Sequence, residues 1–291
     1  MALLTVLLAL GLVQLWGSGA PVHRDVWFAW WHRKLPGSLR DNPGLLLGAT
    51  VLPPVLLSAV IMVLAEALLG RLGILCAGVP LLLYCLGRGN FNECVSTYLR
   101  NWYQGDLTAA REAAAPLLKE LREQESATPE QLHEQVFRGA AYTAFERLFA
   151  VLFWFVLLGI PGALLFRLSA LYAELDESQD DPELVQRWLW LLEWVPVRVM
   201  GFSFAIVGNF VGCFRAWKNC LTCRERSTDQ VLEVYLEGAL GGIDASQCSA
   251  GVETGEAQRY CGAQLEGLQA LLSRALLLWI TALALAVLFD I

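Results

Sequence analysis

The stretch FERLFAVLFWFVLLGIPGALLFRL, residues 145–168, decides the fold of this chain. Its apolar run, residues 148–166, is bracketed by Glu146 and Arg147 before it and by Arg167 after it. A helix needs about 20 apolar residues to cross about 30 Å of hydrocarbon, so the run is predicted to span a membrane. Ionisable side chains at the edge of hydrocarbon are costly unless they are paired or hydrated, which makes these three charged residues candidate site residues.

The composition indicates the same class of protein. Of 291 residues, 56% are hydrophobic and 17% are charged, and the apolar residues occur in long blocks. A soluble domain would show interrupted periodic stripes instead. We therefore predict an all-α integral membrane protein with about five to six transmembrane helices and a helical cytoplasmic segment. The net charge of −7 gives no electrostatic basis for binding a nucleic-acid duplex.

The other apolar runs extend this prediction. Residues 45–69 and 268–289 are long enough to span, residues 74–86 form the second arm of a helical hairpin, and residues 194–214 form a further span. Residues 1–16 are either the core of a signal peptide or a short first span. No Lys or Arg precedes Arg24, which favours retention as a span.

The flanking charges predict an orientation with both termini outside, because basic loops stay in the cytoplasm. The five predicted regions are N-terminal spans with a basic cytoplasmic loop (1–87), a helical cytoplasmic segment (88–147), paired spans around an acidic outer loop (148–214), a cytoplasmic loop segment (215–267) and a C-terminal span (268–291).

Capping residues predict two helices in the segment 88–147. Asp106 or Thr108 precedes an alanine-rich run through residue 124, with apolar residues at helical spacing. Thr128 then caps a second helix, in which Gln131 completes a capping box. This second helix is predicted to continue into the span that follows. His133 is expected to be an exposed surface residue on it.

Six short motifs lie along residues 88–242. They are Gly-Asp-Leu at 105–107, Ala-Ala-Arg-Glu at 109–112, Phe-Ala-Val-Leu-Phe-Trp at 149–154, Gly-Ile-Pro-Gly-Ala at 159–163, Trp-Val-Pro-Val-Arg at 194–198 and Gly-Ala-Leu-Gly at 238–241. In this order they resemble the cobalamin-biosynthesis membrane family CobD/CbiB. That family joins an aminopropanol unit to cobyric acid.

The departures from that pattern count against synthase activity. Tyr142-Thr143 and Glu146-Arg147 stand where the family has Glu-Asn and Asp-Gly, and residues 170–173 replace its Asn-Thr-Leu-Asp. The lost carboxylates and amides are groups that could hold a metal and phosphates. No catalytic residue or metal ligand is therefore assigned. Mg or a nucleotide would be a cofactor only if the chain were a related enzyme forming amide bonds with ATP.

Phe145-Glu146-Arg147 and the stretch Gly-Ala-Leu-Leu-Phe-Arg-Leu at 162–168 are similar to the AmpE family. This resemblance implies a regulatory or sensory protein of the bacterial inner membrane, multi-pass, linked to peptidoglycan recycling and β-lactamase induction. Its implied partners are the lipid bilayer and either the amidase AmpD or a cell-wall-derived ligand.

The charged residues suggest two separate sites, because the predicted topology places Glu146 inside and Arg167 outside. A ligand-binding site is predicted at Asp106, Arg111, Glu146 and Arg147, and an anion or partner site at Arg167, Glu193 and Arg198. The alternatives are interfacial charges that reach the headgroups at Glu146 and Arg147, and an ordinary anchoring arginine at Arg167.

Two further motifs are weak. Cys220 and Cys223 have the local spacing of zinc or redox sites, but Cys248 and Cys261 do not form a second such pair, so reduced cytoplasmic thiols are expected. The glycine-rich residues 238–242 could cradle a phosphate through backbone amides. They lack the Lys and Ser/Thr of a P-loop, so nucleotide binding is not supported.

Overall fold

A computed structural model describes residues 1–16, 25–36, 41–86, 91–118, 128–175, 181–223, 226–241 and 255–289. These residues form helices and turns without any strand, which confirms the predicted all-α class. The helices are α1 (Ala2–Trp16), α2 (Val26–Lys34), α3 (Pro43–Leu69), α4 (Arg71–Cys85), α5 (Phe91–Tyr103), α6 (Leu107–Ala114), α7 (Pro129–Ala144), a π-helical turn (Phe145–Ala150), α8 (Val151–Leu175), α9 (Pro182–Val207), α10 (Phe210–Cys220), α11 (Thr228–Ala239) and α12 (Gly255–Leu288).

Four helical stretches are long and apolar enough to cross a membrane, which makes the chain an integral membrane protein. By length and composition they are Pro43–Leu69, Pro129–Leu175, which is interrupted at Gly159, Pro182–Val207 and Arg259–Leu288. The shorter apolar helices are Ala2–Leu15 and Arg71–Cys85. On α3, large apolar side chains such as Leu56 and Leu68 are exposed by 63% and 80%. Exposed leucines along a span are expected where lipid tails replace water.

The chain divides into two compact units, each built from separate stretches. Unit 1 comprises Met1–Gly89, Glu146–Pro196 and Leu283–Ile291, and unit 2 comprises Asn90–Phe145 and Val197–Ala282.

In unit 1, α3 and α4 form the helical hairpin predicted from the sequence, and both pack against α8, while α1 packs against α4. Gly70 at the bend has a positive φ of 57°. A Cβ atom at Gly73 would overlap the carbonyl oxygen of Ala65. Glycine therefore allows the two helices to approach closely at this bend.

The helix α8 reverses direction at Gly159, where φ is 69° and ψ is −155°. In a straight helix residues 146 and 167 would lie about 31 Å apart, yet a guanidinium nitrogen of Arg167 lies 3.8 Å from a carboxylate oxygen of Glu146. A Cβ atom on Gly162 would lie 2.5 Å from the carbonyl oxygen of Trp154, which also requires close approach of the two arms. Residues 148–166 lie in an apolar helical stretch long enough to span, as predicted, but the stretch is not one straight helix, because it is interrupted at Gly159.

The two arms of this hairpin are residues 145–158 and 160–175. The first arm continues from α7, because α7, the π-helical turn and α8 follow one another without a gap. The second arm is about 24 Å long at 1.5 Å per residue, less than the roughly 30 Å of hydrocarbon. Because the arms fold back, Glu146 and Arg167 lie on the same side of the turn. The predicted separation of these two residues to opposite faces is therefore wrong.

In unit 2, α5 packs against α6 and α7, and α11 packs against α7 and α10. An aromatic cluster at the α5–α7 contact contains Tyr98, Trp102 and His133, with the Trp102 and His133 ring centroids 5.2 Å apart. The Tyr98 hydroxyl lies 3.1 Å from His133 Nδ1. His133 is only 1% exposed, so its predicted surface position is wrong. The face of α7 that carries His133 is the buried one.

The predicted helix starts in this unit are confirmed. Asp106, not Thr108, caps α6 by accepting a hydrogen bond of 3.0 Å from the backbone N–H of Ala109. Thr128 and Gln131 form the capping box of α7, with backbone-to-side-chain bonds of 3.2 and 3.4 Å.

The alanine-rich helix is shorter than predicted, because α6 ends at Ala114. Pro116 follows, and a proline has no N–H to continue the helical ladder. Residues 119–124 of the predicted helix lie outside the described residues.

The apolar run 194–214 is not one helix. The helix α9 ends at Val207 and α10 begins at Phe210. Asn209 is the N-cap of α10 and accepts a hydrogen bond of 3.3 Å from the Gly212 N–H. The asparagine side chain binds a backbone N–H at the start of the next helix. It therefore favours ending α9 and starting α10 within the apolar run.

Candidate functional site

A buried charged cluster in unit 1 brings together Arg167, Glu146 and Asp25, here called the Arg167 cluster. One guanidinium nitrogen lies 3.8 Å from a Glu146 carboxylate oxygen and another lies 3.8 Å from a carboxylate oxygen of Asp25. Arg167 is 4% exposed and Glu146 is 6% exposed. Charges this deeply buried are costly unless paired, so the three groups depend on one another.

Local helix geometry positions the two members of the cluster that the sequence singled out. Glu146 lies in the π-helical turn Phe145–Ala150, and Arg167 lies on the second arm of α8. The reversal at Gly159 brings these two elements together. A π-helical turn inside a helical stretch is uncommon and is frequent at functional sites, which draws attention to this position.

The third member, Asp25, is fixed by an aromatic relay. The Tyr84 hydroxyl donates a hydrogen bond of 3.1 Å to the second carboxylate oxygen of Asp25. The indole N–H of Trp27 donates in turn to the Tyr84 hydroxyl, also at 3.1 Å. Asp25 is therefore held by α4 on one side and contacts Arg167 on the other.

The helix that follows Asp25 is tied to the rest of unit 1 by polar contacts. The indole N–H of Trp31 donates to the carbonyl of Thr50 at 3.2 Å, and His32 Nδ1 lies 3.4 Å from the Thr50 hydroxyl. The His32 ring also meets the edge of Tyr172 at a centroid distance of 5.5 Å. These contacts fix α2 against α3 and α8, and so fix Asp25 beside Arg167.

The electrostatics of the Arg167 cluster favour binding of charged groups over metal chemistry. Two carboxylates face one guanidinium, at separations longer than the 2.7–2.9 Å of tight charge-assisted hydrogen bonds. Mg²⁺ needs octahedral oxygen ligands, and here the two carboxylates already flank an arginine, so this donor set does not fit a magnesium site. Nor do the described residues contain a group of three or more His, Cys, Asp or Glu that could hold a metal.

Comparison with known proteins is decisive for the family. The family described as "Regulatory signalling modulator protein AmpE" matches residues 1–241. The chain belongs to the AmpE family. This family assignment confirms the resemblance inferred from the motifs around Glu146 and Arg167.

More distant similarity links this AmpE-family chain to cobalamin biosynthesis proteins CobD. The CobD of Stutzerimonas stutzeri is 29% identical over 154 residues, which cover 49% of the chain and 48% of that protein. The CobD of Chromobacterium violaceum is 26% identical over 208 residues, 68% of the chain and 62% of that protein. The matches therefore span about half and about three-fifths of these relatives. No solved structure matches the chain.

The residues of the predicted ligand site belong to different units of the chain. Asp106 is the cap of α6, and Arg111 lies in the last turn of the same helix, both in unit 2. Glu146 and Arg147 belong to unit 1. Of the four predicted residues, Glu146 is the one that the structure places in the Arg167 cluster.

We expect Asp106→Ala to destabilise α6 by about 1 kcal/mol, because it removes the acceptor for an N-terminal backbone N–H. Hydrogen–deuterium exchange of the α6 amides would measure the loss. Thr108→Ala is the matched control, since Thr108 also stands in the first turn but does not cap it. If the α6 amides of Asp106→Ala exchange at the same rate as those of the intact chain, the cap does not stabilise α6. The Asp106 carboxylate would then again be a candidate ligand group.

Arg198, from the predicted anion site, caps a helix end in unit 2. Its Nη2 donates to the carbonyl of Cys223 at 2.8 Å and its Nε donates to the carbonyl of Leu221 at 3.4 Å. The indole N–H of Trp217 donates to the Arg198 carbonyl at 2.8 Å. Carbonyls beyond the end of α10 thus solvate this buried guanidinium, as basic side chains do near helix C-termini. Glu193 is 3% exposed and lies in unit 1.

Cys220, the first thiol of the cysteine pair, lacks the low pKa of a reactive cysteine. Cys220 and Cys223 are free thiols. Burial raises the pKa of Cys220 above its ordinary value, whereas reactive thiols need a lowered pKa. Cys261, by contrast, is disulfide-bonded, so the expectation of a reduced thiol is wrong at this position.

Sequence reasoning missed Asp25 and Tyr84. Asp25 immediately follows Arg24, in a loop whose basic residues were used only to predict the orientation of the chain. Tyr84 stands at the end of an apolar run. An acidic residue just before an aromatic-rich helix was the available signal for Asp25. Nothing in the spacing indicated that these residues meet Arg167.

Proposed function

We propose that the chain is a regulatory or sensory modulator of the bacterial inner membrane, linked to peptidoglycan recycling and β-lactamase induction. The observation that carries this proposal is the Arg167 cluster, in which a buried arginine contacts two carboxylates beside a helix reversal. Membership of the AmpE family supports the regulatory role.

The contact between Glu146 and Arg167, here called the latch, can be exchanged for a contact between Arg167 and a ligand. A regulatory element needs two arrangements whose balance a ligand shifts, and the ligand must interact differently with each. A cell-wall-derived ligand bearing a carboxylate would compete with Glu146 for Arg167. Release of Glu146 would free the first arm of α8 from the second, because this contact joins the two arms.

The partner in this proposal is the amidase AmpD or the cell-wall-derived ligand itself. Either would bind on the helical segment 88–147 or at its end near Glu146 and Arg147. The bilayer is the other partner, through exposed apolar side chains such as those of α3.

An induction assay tests this proposal. In the organism that encodes the chain, the coding sequence is deleted, and β-lactamase activity is measured before and after exposure to a β-lactam. We expect deletion to alter the induced activity several-fold, and the intact chain to restore it. Glu146→Gln should shift the response, because it weakens the latch while keeping the size of the side chain. Arg187→Gln is the control, since its ion pair with Glu183 is 79% and 78% exposed.

Unchanged induction after deletion would contradict the proposed role. If Glu146→Gln induces β-lactamase to the same level as the intact chain, with equal amounts of protein in the membrane, the Arg167 cluster has no part in the proposed role. Direct binding of AmpD is checked by co-purification from membranes in which both proteins are tagged.

The alternative is a membrane enzyme related to cobinamide-phosphate synthase, forming amide bonds with ATP on an altered substrate. The CobD similarity is the observation in its favour. Incubation of the purified chain with ATP, Mg²⁺, cobyric acid and an aminopropanol phosphate, followed by mass spectrometry, tests it. A new amide product would support the enzyme, and ATP left unconsumed with no product would count against activity on these two substrates.

A further inference from the structure

A cleft in unit 2 forms where the apolar run 194–214 is interrupted. Its volume is about 320 Å³, and its lining includes Gly208, Asn209, Ala239, Leu240, Gly267 and Arg274. Ligand pockets in proteins begin at about 300 Å³, so this cleft has room for one small polar group. The cleft belongs to unit 2, whereas the Arg167 cluster belongs to unit 1.

The walls of the cleft are fixed by close backbone contacts. The Asn209 N–H donates a hydrogen bond of 2.8 Å to the carbonyl of Ala239, which ties the start of α10 to the end of α11. A Cβ atom at Gly208 would lie 2.9 Å from the carbonyl oxygens of both Ala239 and Phe204. Glycine is therefore needed at this position, and the cleft is a preformed feature of the fold.

Arg274 supplies the charge of the cleft. It is the only charged side chain in the lining of this cleft within the described part of the chain, and it is exposed. It lies on α12, inside the apolar stretch Arg259–Leu288 that is long enough to cross a membrane. A cation on such a helix needs a counter-charge or the interface, and no hydrogen bond or ion pair joins Arg274 to another described residue.

Exposed apolar side chains continue from the cleft along the same helices. Leu277 follows Arg274 by three residues on α12, so it lies on the same face, and it is 64% exposed. Ile206 and Phe210, which flank Gly208 and Asn209, are 50% and 54% exposed. A cationic pocket bordered by apolar surface is complementary to a molecule with an anionic head and an apolar tail.

We propose that this cleft binds the headgroup of an anionic membrane phospholipid. Arg274 pairs with the phosphate, and an acyl chain lies along Ile206, Phe210 and Leu277. Basic pockets between membrane helices bind anionic headgroups by this combination of charge and apolar contact. The lipid would then brace the junction of α9, α10 and α12 in unit 2.

Lipid titration followed by native mass spectrometry tests the proposal, using the full chain purified in detergent. We expect phosphatidylglycerol to bind more tightly than zwitterionic phosphatidylcholine. Arg274→Gln should weaken phosphatidylglycerol binding about fivefold, the factor expected for one basic side chain at an anionic surface. Arg274→Lys should retain most of the binding. Ala270→Trp should also weaken it, because the indole fills the cleft without changing any charge.

The matched control is Arg71→Gln, since Arg71 is an exposed arginine at the start of an apolar helix and lies outside the cleft. It should leave binding unchanged. Equal losses in Arg71→Gln and Arg274→Gln, or no loss in Arg274→Gln, would overturn the proposal. Displacement of the lipid by inorganic phosphate at matching concentration would overturn it in favour of a soluble anion. Unfolding temperatures check folding, and Arg274→Lys and Ala270→Trp keep the test valid if Arg274→Gln does not fold.

Discussion

Arg167→Met is expected to lower the free energy of unfolding by about 3–5 kcal/mol, the cost of removing one partner from a buried charged pair. Arg167 is 4% exposed and lies 3.8 Å from carboxylate oxygens of both Glu146 and Asp25. Methionine matches the apolar stem of arginine but has no charge. Two carboxylates would then be left close together without a cation, and both are poorly solvated.

Glu146→Gln should cost much less than Arg167→Met. It leaves Asp25 facing Arg167 as a neutral pair, and the glutamine amide still has an oxygen that can accept from the guanidinium. The double variant Glu146→Gln/Arg167→Met should be more stable than Arg167→Met alone, because one of the two uncompensated carboxylates is gone. A coupling between the two substitutions is expected for residues in contact.

Thermal unfolding of the purified chain in detergent measures these differences. Arg187→Met is the matched control, since this arginine also pairs with a carboxylate but is 79% exposed. Exposed pairs of this kind contribute little, about 0–1 kcal/mol. If Arg167→Met and Arg187→Met unfold at the same temperature, the Arg167 cluster is not the buried charged unit described above.

The class of the fold and several helix boundaries could be predicted from the sequence because their causes are local. Long apolar runs identify membrane helices by length alone, and they do so for α3 and α12. Thr128 and Gln131 predict the start of α7 because the capping box involves only neighbouring residues.

The reversal of α8 could not be predicted from apolar length, because a straight span and a folded hairpin have the same hydropathy. Gly159 and Pro161 were the local signals, since glycine tolerates positive φ and proline is favoured in the first turn of a helix. Both residues also occur in straight or kinked membrane helices, so they do not decide between the two forms.

Tertiary contacts account for the other differences. His133 lies on the buried face of α7 because Tyr98 and Trp102 of α5 pack against it. Asp25 joins the Arg167 cluster through contacts made by α4 and α8. Residues so far apart along the chain show no sequence spacing from which their contact can be predicted. Asp25 and Tyr84 were therefore missing from the predicted site.

Gly159→Ala is expected to destabilise the hairpin of α8 by about 1–3 kcal/mol, because its φ of 69° and ψ of −155° lie in a region adopted essentially only by glycine. Gly162→Ala should act on the same feature by another route. Its Cβ would lie 2.5 Å from the Leu158 Cβ and from the Trp154 carbonyl oxygen, so the arms must separate. Gly11→Ala is the control, since Gly11 lies in α1 and no heavy atom stands within 4 Å of an added Cβ.

The hairpin also predicts which side of the membrane its two ends face. Arg147 lies near the start of the first arm and Glu174 near the end of the second, and the contact between Glu146 and Arg167 holds these two ends on the same side of the turn. In Arg147→Cys and Glu174→Cys, an impermeant thiol reagent should therefore label both positions from the same side, with the parent chain subtracting native thiols. In a Gly159→Ala background, any straightening moves the two ends apart, so Glu174→Cys should lose labelling from that side. Labelling of Arg147→Cys and Glu174→Cys from opposite sides in the native glycine background would mean that residues 145–175 cross the membrane as one span, and the contact between Glu146 and Arg167 could not form.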